Sequence, residues 1–340
     1  MENSNPILVQ HTRGGIPESF HRGVICVVDE NGKILHTVGN IQQMCYPRSA
    51  LKYFQHIPLI TSGAFDHFGF TLKELAIMCG SHNGEEMHVE ASRGILAKIG
   101  LTESALGCGA QQPTLKKDYV RLIKNNQEPG AIHNNCSGKH SGFLAWCVYH
   151  NQPIANYLQA QHPLHQEIKK VTALFHEIPE SQLLTGVDGC SAPIFAMPVF
   201  NQALAFKNLT VPQKFGDEKI NRACALILEA IATYPEMVAG SKRYCTDLIR
   251  ETKGKIIGKT GADGIYNIAV PSKKWGICIK IDDGRMGPQY NVAQQVLELL
   301  GLITAEEATQ LNGYLKCENL NYAGNFTGYT MVTQDLLHRF

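Results

Sequence analysis

The stretch Pro47-Arg48-Ser49-Ala50-Leu51-Lys52-Tyr53-Phe54 places a serine three residues before a lysine at what reads as the start of a helix. Residues three apart on a helix share a face, so the spacing brings the Ser49 hydroxyl and the Lys52 amine within hydrogen-bond reach. A free serine is a poor nucleophile near neutral pH, and a desolvated, neutral lysine is one base able to take its proton. Taken alone, the S-x-x-K spacing is common in helices, where it reads as a cap followed by a solvated lysine. Its meaning is set by what stands further along the chain.

The 340 residues are enough to bury a sizeable core, either as one large domain or as a domain with a subdomain. Hydrophobic residues at 44% against charged residues at 18% describe a globular chain rather than a disordered or fibrous one. With 31 basic and 30 acidic residues and no block of like charge, neither nucleic acid nor a membrane surface is an expected partner. Met1 to Gln10 contains no basic segment followed by an apolar run and a small-residue cleavage site, and no apolar stretch reaches the length of a membrane span. A cytoplasmic protein is expected. Eleven cysteines, an odd number without regular spacing, suit reduced thiols better than a disulfide framework.

Val24 to Val28 and Ile34 to Val38 are β-rich runs around an Asn31-Gly32 turn, which predicts a hairpin. Thr71-Leu72-Lys73-Glu74 has capping-box spacing and predicts a helix from Leu72 to Met78. Ser81-His82-Asn83 then makes a turn, with Asn83 expected to cap a helix running to about Ile99. Helices are expected at 118–124, 142–149, 164–175, 217–233 and 289–300. Three strands are expected near 255–261, 265–270 and 275–281. The tail from Ile303 reads as a helix over 305–315, with the remainder expected to pack across a partner. The outcome is an α/β chain of α+β type: one five-stranded, mainly antiparallel sheet built from both chain ends and flanked by helices. It reads as one domain over 1–340, with its sheet from about 20–40 and 255–282 and a mainly helical subdomain at about 65–250.

Three short motifs now stand in order: Ser49-x-x-Lys52, Ser81-His82-Asn83 and Lys259-Thr260-Gly261. They match S-x-x-K, S-x-N and K-T-G, the motif set of the penicillin-recognising serine hydrolases, and the chain resembles that serine β-lactamase-like fold. Each motif also falls in a suitable setting: a helix start, a turn between helices, and the end of a strand. Two hydroxyl–amine pairs, Ser49 with Lys52 and Ser81 with Lys259, would supply proton transfer in both directions to one polar carbonyl. Singly, Ser81 reads as a turn residue and Lys259 as a solvated lysine.

A narrower resemblance rests on Arg48-Ser49-Ala50-Leu51-Lys52, Cys79-Gly80-Ser81-His82, His133-Asn134-Asn135-Cys136-Ser137-Gly138-Lys139-His140, Asp188-Gly189-Cys190 and Gly258-Lys259-Thr260-Gly261-Ala262-Asp263-Gly264. Together these resemble the asparaginase II family of rhizobial inducible type, from about His21 to Leu300. The resemblance implies hydrolysis of L-asparagine to L-aspartate and ammonia by Ser49, Lys52, Ser81 and Lys259, with a homodimer as the usual assembly. It also implies a zinc ion (Zn2+) on Cys136, Lys139 and Cys190, shaping the pocket rather than supplying the nucleophile. Zinc sites ordinarily announce themselves by paired cysteine or histidine spacings, and this one does not. Without the resemblance, the two cysteines read as small buried residues and Lys139 as a cation at a helix start.

An α-amino acid presents one ammonium and one carboxylate, for which Asp188 and Arg48 are the matching groups. His82, Asn83 and His140 are further candidates for the substrate pocket. Two other functions share these motifs: a β-lactam-reactive hydrolase, disfavoured in the cytoplasm, and a non-catalytic amino-acid-binding protein, disfavoured because both serines and both lysines are present.

Overall fold

β-Branched and apolar residues concentrated near both chain ends assemble one antiparallel sheet in the computed structural model, which describes residues 4–340. Its strands are β1 (Ile7–Arg13), β2 (Ile16–Val28) and β3 (Ile34–Val38) from the first part of the chain. Two short strands that lie elsewhere, β4 (Met44–Cys45) and β5 (Leu184–Val187), and a third, β6 (Pro193–Pro198), come next in sequence. The sheet resumes with β7 (Ile257–Thr260), β8 (Ile265–Val270), β9 (Trp275–Ile281), β10 (Lys316–Leu320) and β11 (Phe326–Val332). The order is β10-β11-β1-β2-β9-β8-β7, with β3 also paired to β2. All five expected strands are present, and three more, β1, β10 and β11, raise the sheet to eight.

The tail accounts for most of that difference. β10 and β11 join this chain's own sheet, and Val9 pairs with Val332. The expected helix over 305–315 breaks into Ala305–Gln310 and Asn312–Leu315. Of the stretch read for a leader, Met1–Asn3 lie outside the described residues and Ile7–Gln10 fall in β1. Among the described residues no helix is long and apolar enough to cross a membrane.

The chain divides into two compact units. The first consists of residues up to 50, 197–210 and 251–340 and contains the eight-stranded sheet. Val24 to Val28 of β2 are fully buried at its middle, and the helix Val199–Asn208 packs on β2, β8 and β9. The second consists of residues 51–196 and 211–250 and is mainly helical. Its axis is the helix Ser137–Tyr149, buried through Cys147, with Leu72–Met78 and Glu86–Lys98 packed against it. Gly138 makes this approach possible, since a Cβ there would lie 2.5 Å from the Ile77 carbonyl oxygen.

Local signals explain most boundaries. Thr71 and Glu74 form the expected capping box of Leu72–Met78. Asp217 caps Glu218–Thr233 by accepting from the Lys219 and Ile220 amides. Asn83 does not cap the next helix: Glu85 stands at that position, its amide donating to His88 Nδ1, while the Asn83 side chain turns to Ser241 and Arg243.

The helical unit buries imidazoles at a cost that pH exposes. Burial pushes His56 and His176 down to about 4, against a partial counter-effect of their bonds to backbone carbonyls. Both rings are neutral in the folded chain between about 4 and 6.5, where the unfolded chain binds protons. Stability is therefore full above pH 6.5 and falls as pH drops through this window, by about 3 kcal/mol per ring at the bottom of it. His176→Phe should flatten the decline of Tm between pH 6.5 and pH 4, and a slope unchanged by this substitution would remove His176 from the account.

Candidate functional site

The expected site residues fall on both units, the division passing between Ala50 and Leu51. Arg48, Ser49 and Lys259 belong to the first; Lys52, Ser81, His82, Asn83, Cys136, Lys139, His140, Asp188 and Cys190 belong to the second.

In the first unit, Ser49 lies in a 3₁₀ turn, Arg48–Leu51, rather than in an α-helix, and Arg48 enters that turn at φ +50°. A non-glycine residue in this left-handed region stores strain, which the surroundings must hold in place. The Arg48 guanidinium makes an ion pair with Asp263, in the turn that follows Lys259-Thr260-Gly261. Gly261 meets the same segment, since a Cβ there would lie 2.3 Å from the Pro47 carbonyl oxygen. The nucleophile candidate is thus tied on its N-terminal side to the K-T-G turn by a charge pair and by a backbone approach that only glycine allows. Lys259 is fully buried and donates to the Thr260 carbonyl at 3.0 Å. Alternation along β7 sends the Thr260 side chain to the opposite face, where its hydroxyl lies 3.0 Å from the Tyr290 hydroxyl.

In the second unit, Lys52 is 1% exposed and its Nζ donates to the carbonyls of Gly80, at 2.6 Å, and Asn135, at 3.2 Å. The Asn135 carbonyl also accepts the His82 amide at 3.3 Å. One backbone oxygen therefore joins the lysine of the first motif, the turn of the second and the Asn-Cys-Ser-Gly-Lys-His block. Ser81 is buried, its amide donating to the Val238 carbonyl at 2.7 Å.

His82 and Asn83 are engaged inside the protein. The Gly84 amide donates to His82 Nδ1, which puts the ring proton on Nε2, and Nε2 donates to Ser137 Oγ at 3.0 Å. Burial foremost, then the neighbouring His88, holds His82 well below the usual imidazole range, so the ring is neutral. Asn83 donates to the Ser241 carbonyl and accepts from Arg243, both at 2.9 Å. Both side chains brace the turn that carries Ser81.

Cys136, Lys139 and Cys190 meet in the same unit. Lys139 Nζ donates to Cys190 Sγ at 2.9 Å, and Cys136 Sγ lies 3.0 Å from Asn135 Oδ1. Its interaction with Cys190, opposed by burial and helped by the charges of Lys52 and Lys139, holds Cys136 well below the ordinary thiol range. Interaction with Cys136, together with burial, pushes Cys190 up to about 11. Burial alone would lower Lys139, but the two sulfurs outweigh it and keep the amine charged. Asp188 Oδ2 stands 3.4 Å from Cys190 Sγ. His140 Nδ1 and the Tyr157 hydroxyl are 2.6 Å apart, while the buried His140 Nε2 has no hydrogen-bond partner.

Among the described residues no group of three or more His, Cys, Asp or Glu side chains is placed to hold a metal ion. The two cysteines and one lysine are nonetheless drawn together, with the buried Lys139 amine on Cys190 Sγ and an orphaned imidazole nitrogen on the residue that follows Lys139. Two sulfurs and an amine are donors of the soft and borderline kind that zinc accepts.

Sequence reasoning missed Asn135 as a carbonyl acceptor, Tyr157 as the partner of His140, and Asp263 as the partner of Arg48. Only Asp263 carried a signal, an acidic residue in the turn after K-T-G.

Residues 9–332 match the family model described as L-asparaginase II. The chain belongs to the asparaginase II family. Membership over this length supports an amidohydrolase role for the site. No curated protein sequence matches the chain. Among solved structures it is similar to a protein titled Mglu in its native form, at 12% identity and TM-score 0.45, covering 86% of this chain and 68% of that one. It is also similar to a mutant class C β-lactamase, at 14% identity and TM-score 0.43, covering 81% and 92%. A β-lactamase from Mycobacterium bovis matches at 12% identity and TM-score 0.41, covering 86% and 95%.

The Pro47–Gly261 approach can be tested without reference to chemistry. Gly261→Ala forces a methyl group into the Pro47 carbonyl and should destabilise this asparaginase II family member by about 1–3 kcal/mol, the usual range for overpacking. Urea denaturation measures it, and an unchanged midpoint would show that the two segments are not in contact.

Proposed function

We propose that this chain hydrolyses L-asparagine to L-aspartate and ammonia through Ser49 and Lys52, with Ser81 and Lys259 as a second hydroxyl–amine pair. The observation that carries the reading is the family match over residues 9–332. The burial of Lys52 against two neutral carbonyls, with no carboxylate as its partner there, supports the choice of base.

The Ser49 hydroxyl adds to the side-chain amide carbonyl while Lys52 takes its proton. Collapse of the tetrahedral adduct breaks the C–N bond, and the departing nitrogen receives a proton from the amine to leave as ammonia. Water then adds to the seryl ester, giving its proton to the base, and the C–O bond breaks to release aspartate and restore Ser49. Arg48 receives the substrate carboxylate, in competition with Asp263, and Asp188 receives the ammonium. His82 and Asn83 position Ser81 rather than touching substrate, and His140 stands beside the amino-acid head.

Cys136, Lys139 and Cys190 would hold zinc, which supplies positive charge to the pocket wall. Binding would require the Lys139 amine and the cysteine thiols to give up protons, so uptake releases protons. A cytoplasmic homodimer belongs to the same reading.

Ser49→Ala should lower ammonia release from L-asparagine by roughly 10⁴-fold or more with the circular dichroism spectrum unchanged, and Ser81→Ala should be severely impaired without the two losses multiplying. Normal turnover by folded Ser49→Ala protein would sink the assignment, and turnover of nitrocefin in place of asparagine would transfer it to β-lactams.

Cys136→Ala or chelation should raise KM by about tenfold while kcat changes little, because binding energy that is equal in the ground and transition states can be removed without altering kcat. Metal content measured alongside tells the cases apart: a metal-free enzyme with normal KM and no kcat would give the ion a chemical role.

A further inference from the structure

The first unit contains a cleft of about 430 Å³ that takes no part in the chemistry above. Its lining includes His11, His21, Arg285, Tyr290, Tyr314 and Cys317, contributed by β1, β2, the helix Pro288–Leu299 and the segment entering it, the helix Asn312–Leu315 and β10. The volume lies in the range of small-molecule sites, and the mixture of ring faces with a few polar groups is what such sites require. Tyr290 and Tyr314 meet edge to face, with ring centroids 6.4 Å apart.

The charges in the cleft are not balanced. His21 Nδ1 pairs with Asp283 Oδ2 at 2.7 Å, so any charge on that ring is matched. His11 Nδ1 is 2.9 Å from Thr330 Oγ1 and 3.4 Å from Asn319 Nδ2, a polar cluster without a carboxylate. The exposed Arg285 has no side-chain hydrogen bond or ion pair among the described residues, although its backbone amide donates to Asp283. One unmatched guanidinium, two aromatic walls and a polar cluster without a carboxylate describe a monoanion with an organic body. A guanidinium fork recognises a carboxylate through two parallel bonds, and ring faces favour carbon over a bare inorganic ion.

We propose that this cleft binds a small organic carboxylate, its acid group on Arg285 and its body against Tyr290 and Tyr314. An occupant would touch Tyr290, whose hydroxyl reaches Thr260 of the K-T-G segment. The site is defined by its own residues and stands whether or not the proposed amide hydrolysis is correct.

Cys317 provides the readout, because it lines the cleft and is the one cysteine of the eleven that is not buried. The full chain is treated with a thiol reagent under native conditions, with and without benzoate, 4-hydroxybenzoate, succinate or 2-oxoglutarate. Concentrations extend to about 10 mM, above the millimolar dissociation constants of weak small-ligand sites. The expected result is saturable slowing of Cys317 labelling, threefold or more, by at least one of these acids. The same protection should appear in Ser49→Ala protein and disappear in Arg285→Gln. The proposal is overturned if no acid slows labelling, if sulfate protects as well as the best carboxylate, or if Arg285→Gln protein is protected like the parent.

Discussion

The Asn135 carbonyl oxygen is the point on which the helical unit's part of the site depends. It accepts from Lys52 Nζ and from the His82 amide at once, holding one S-x-x-K residue and the S-x-N turn to a single peptide plane. Removing a lysine amine from water costs several kcal/mol unless its donors find acceptors, and the Gly80 and Asn135 carbonyls meet that need without a carboxylate. Because both acceptors are backbone, no side-chain substitution deletes them directly. Their position depends instead on the segments that carry them. The block around Asn135 is fixed from its other end by Asn134, which donates to the Cys108 and Gly109 carbonyls and accepts the Cys136 amide.

Next to that plane, the Cys136–Cys190–Lys139 group solves a similar problem with charge. The buried Lys139 amine is unfavourable alone, and it is held by Cys190 Sγ at hydrogen-bond distance and by the nearby Cys136 and Asp188. Lys52 is among the charges that lower Cys136, so the proposed base and the sulfur pair are electrostatically linked.

The sequence was most legible where a side chain encodes its own local structure. Thr71 with Glu74 and Asp217 at its helix start act within a turn of the chain, and the helices they open begin where expected. The strands of 257–281 were legible because they are buried runs of apolar residues bounded by turns. Strands β1, β10 and β11 were not: Lys316–Leu320 carries lysine, glutamate and asparagine on an edge strand, and only its pairing with β11 makes it a strand. Within the candidate site, residue types and spacing singled out Ser49, Lys52, Ser81 and Lys259 as candidates, but could not disclose carbonyl acceptors, which every residue possesses. Likewise, nothing in the loop around Tyr157 marks it as the partner of His140.

The sheet's strand order also governs how the chain must be made. Val9 and Val332 are register partners, as are Gly23 and Ile281, so the sheet closes only after nearly all of the chain has been synthesised. Pairings of such long sequence separation carry a large loop-closure cost and form slowly. The helical segment 51–196 emerges earlier and rests on local packing, which gives it a head start during synthesis. Until β9 arrives the apolar run of β2 has an open edge, and until β11 arrives β1 does, the interval in which a nascent chain of this design is most exposed to pairing with the wrong strand. The fold thus places its demand for chaperones late in translation, at the joining of the two chain ends.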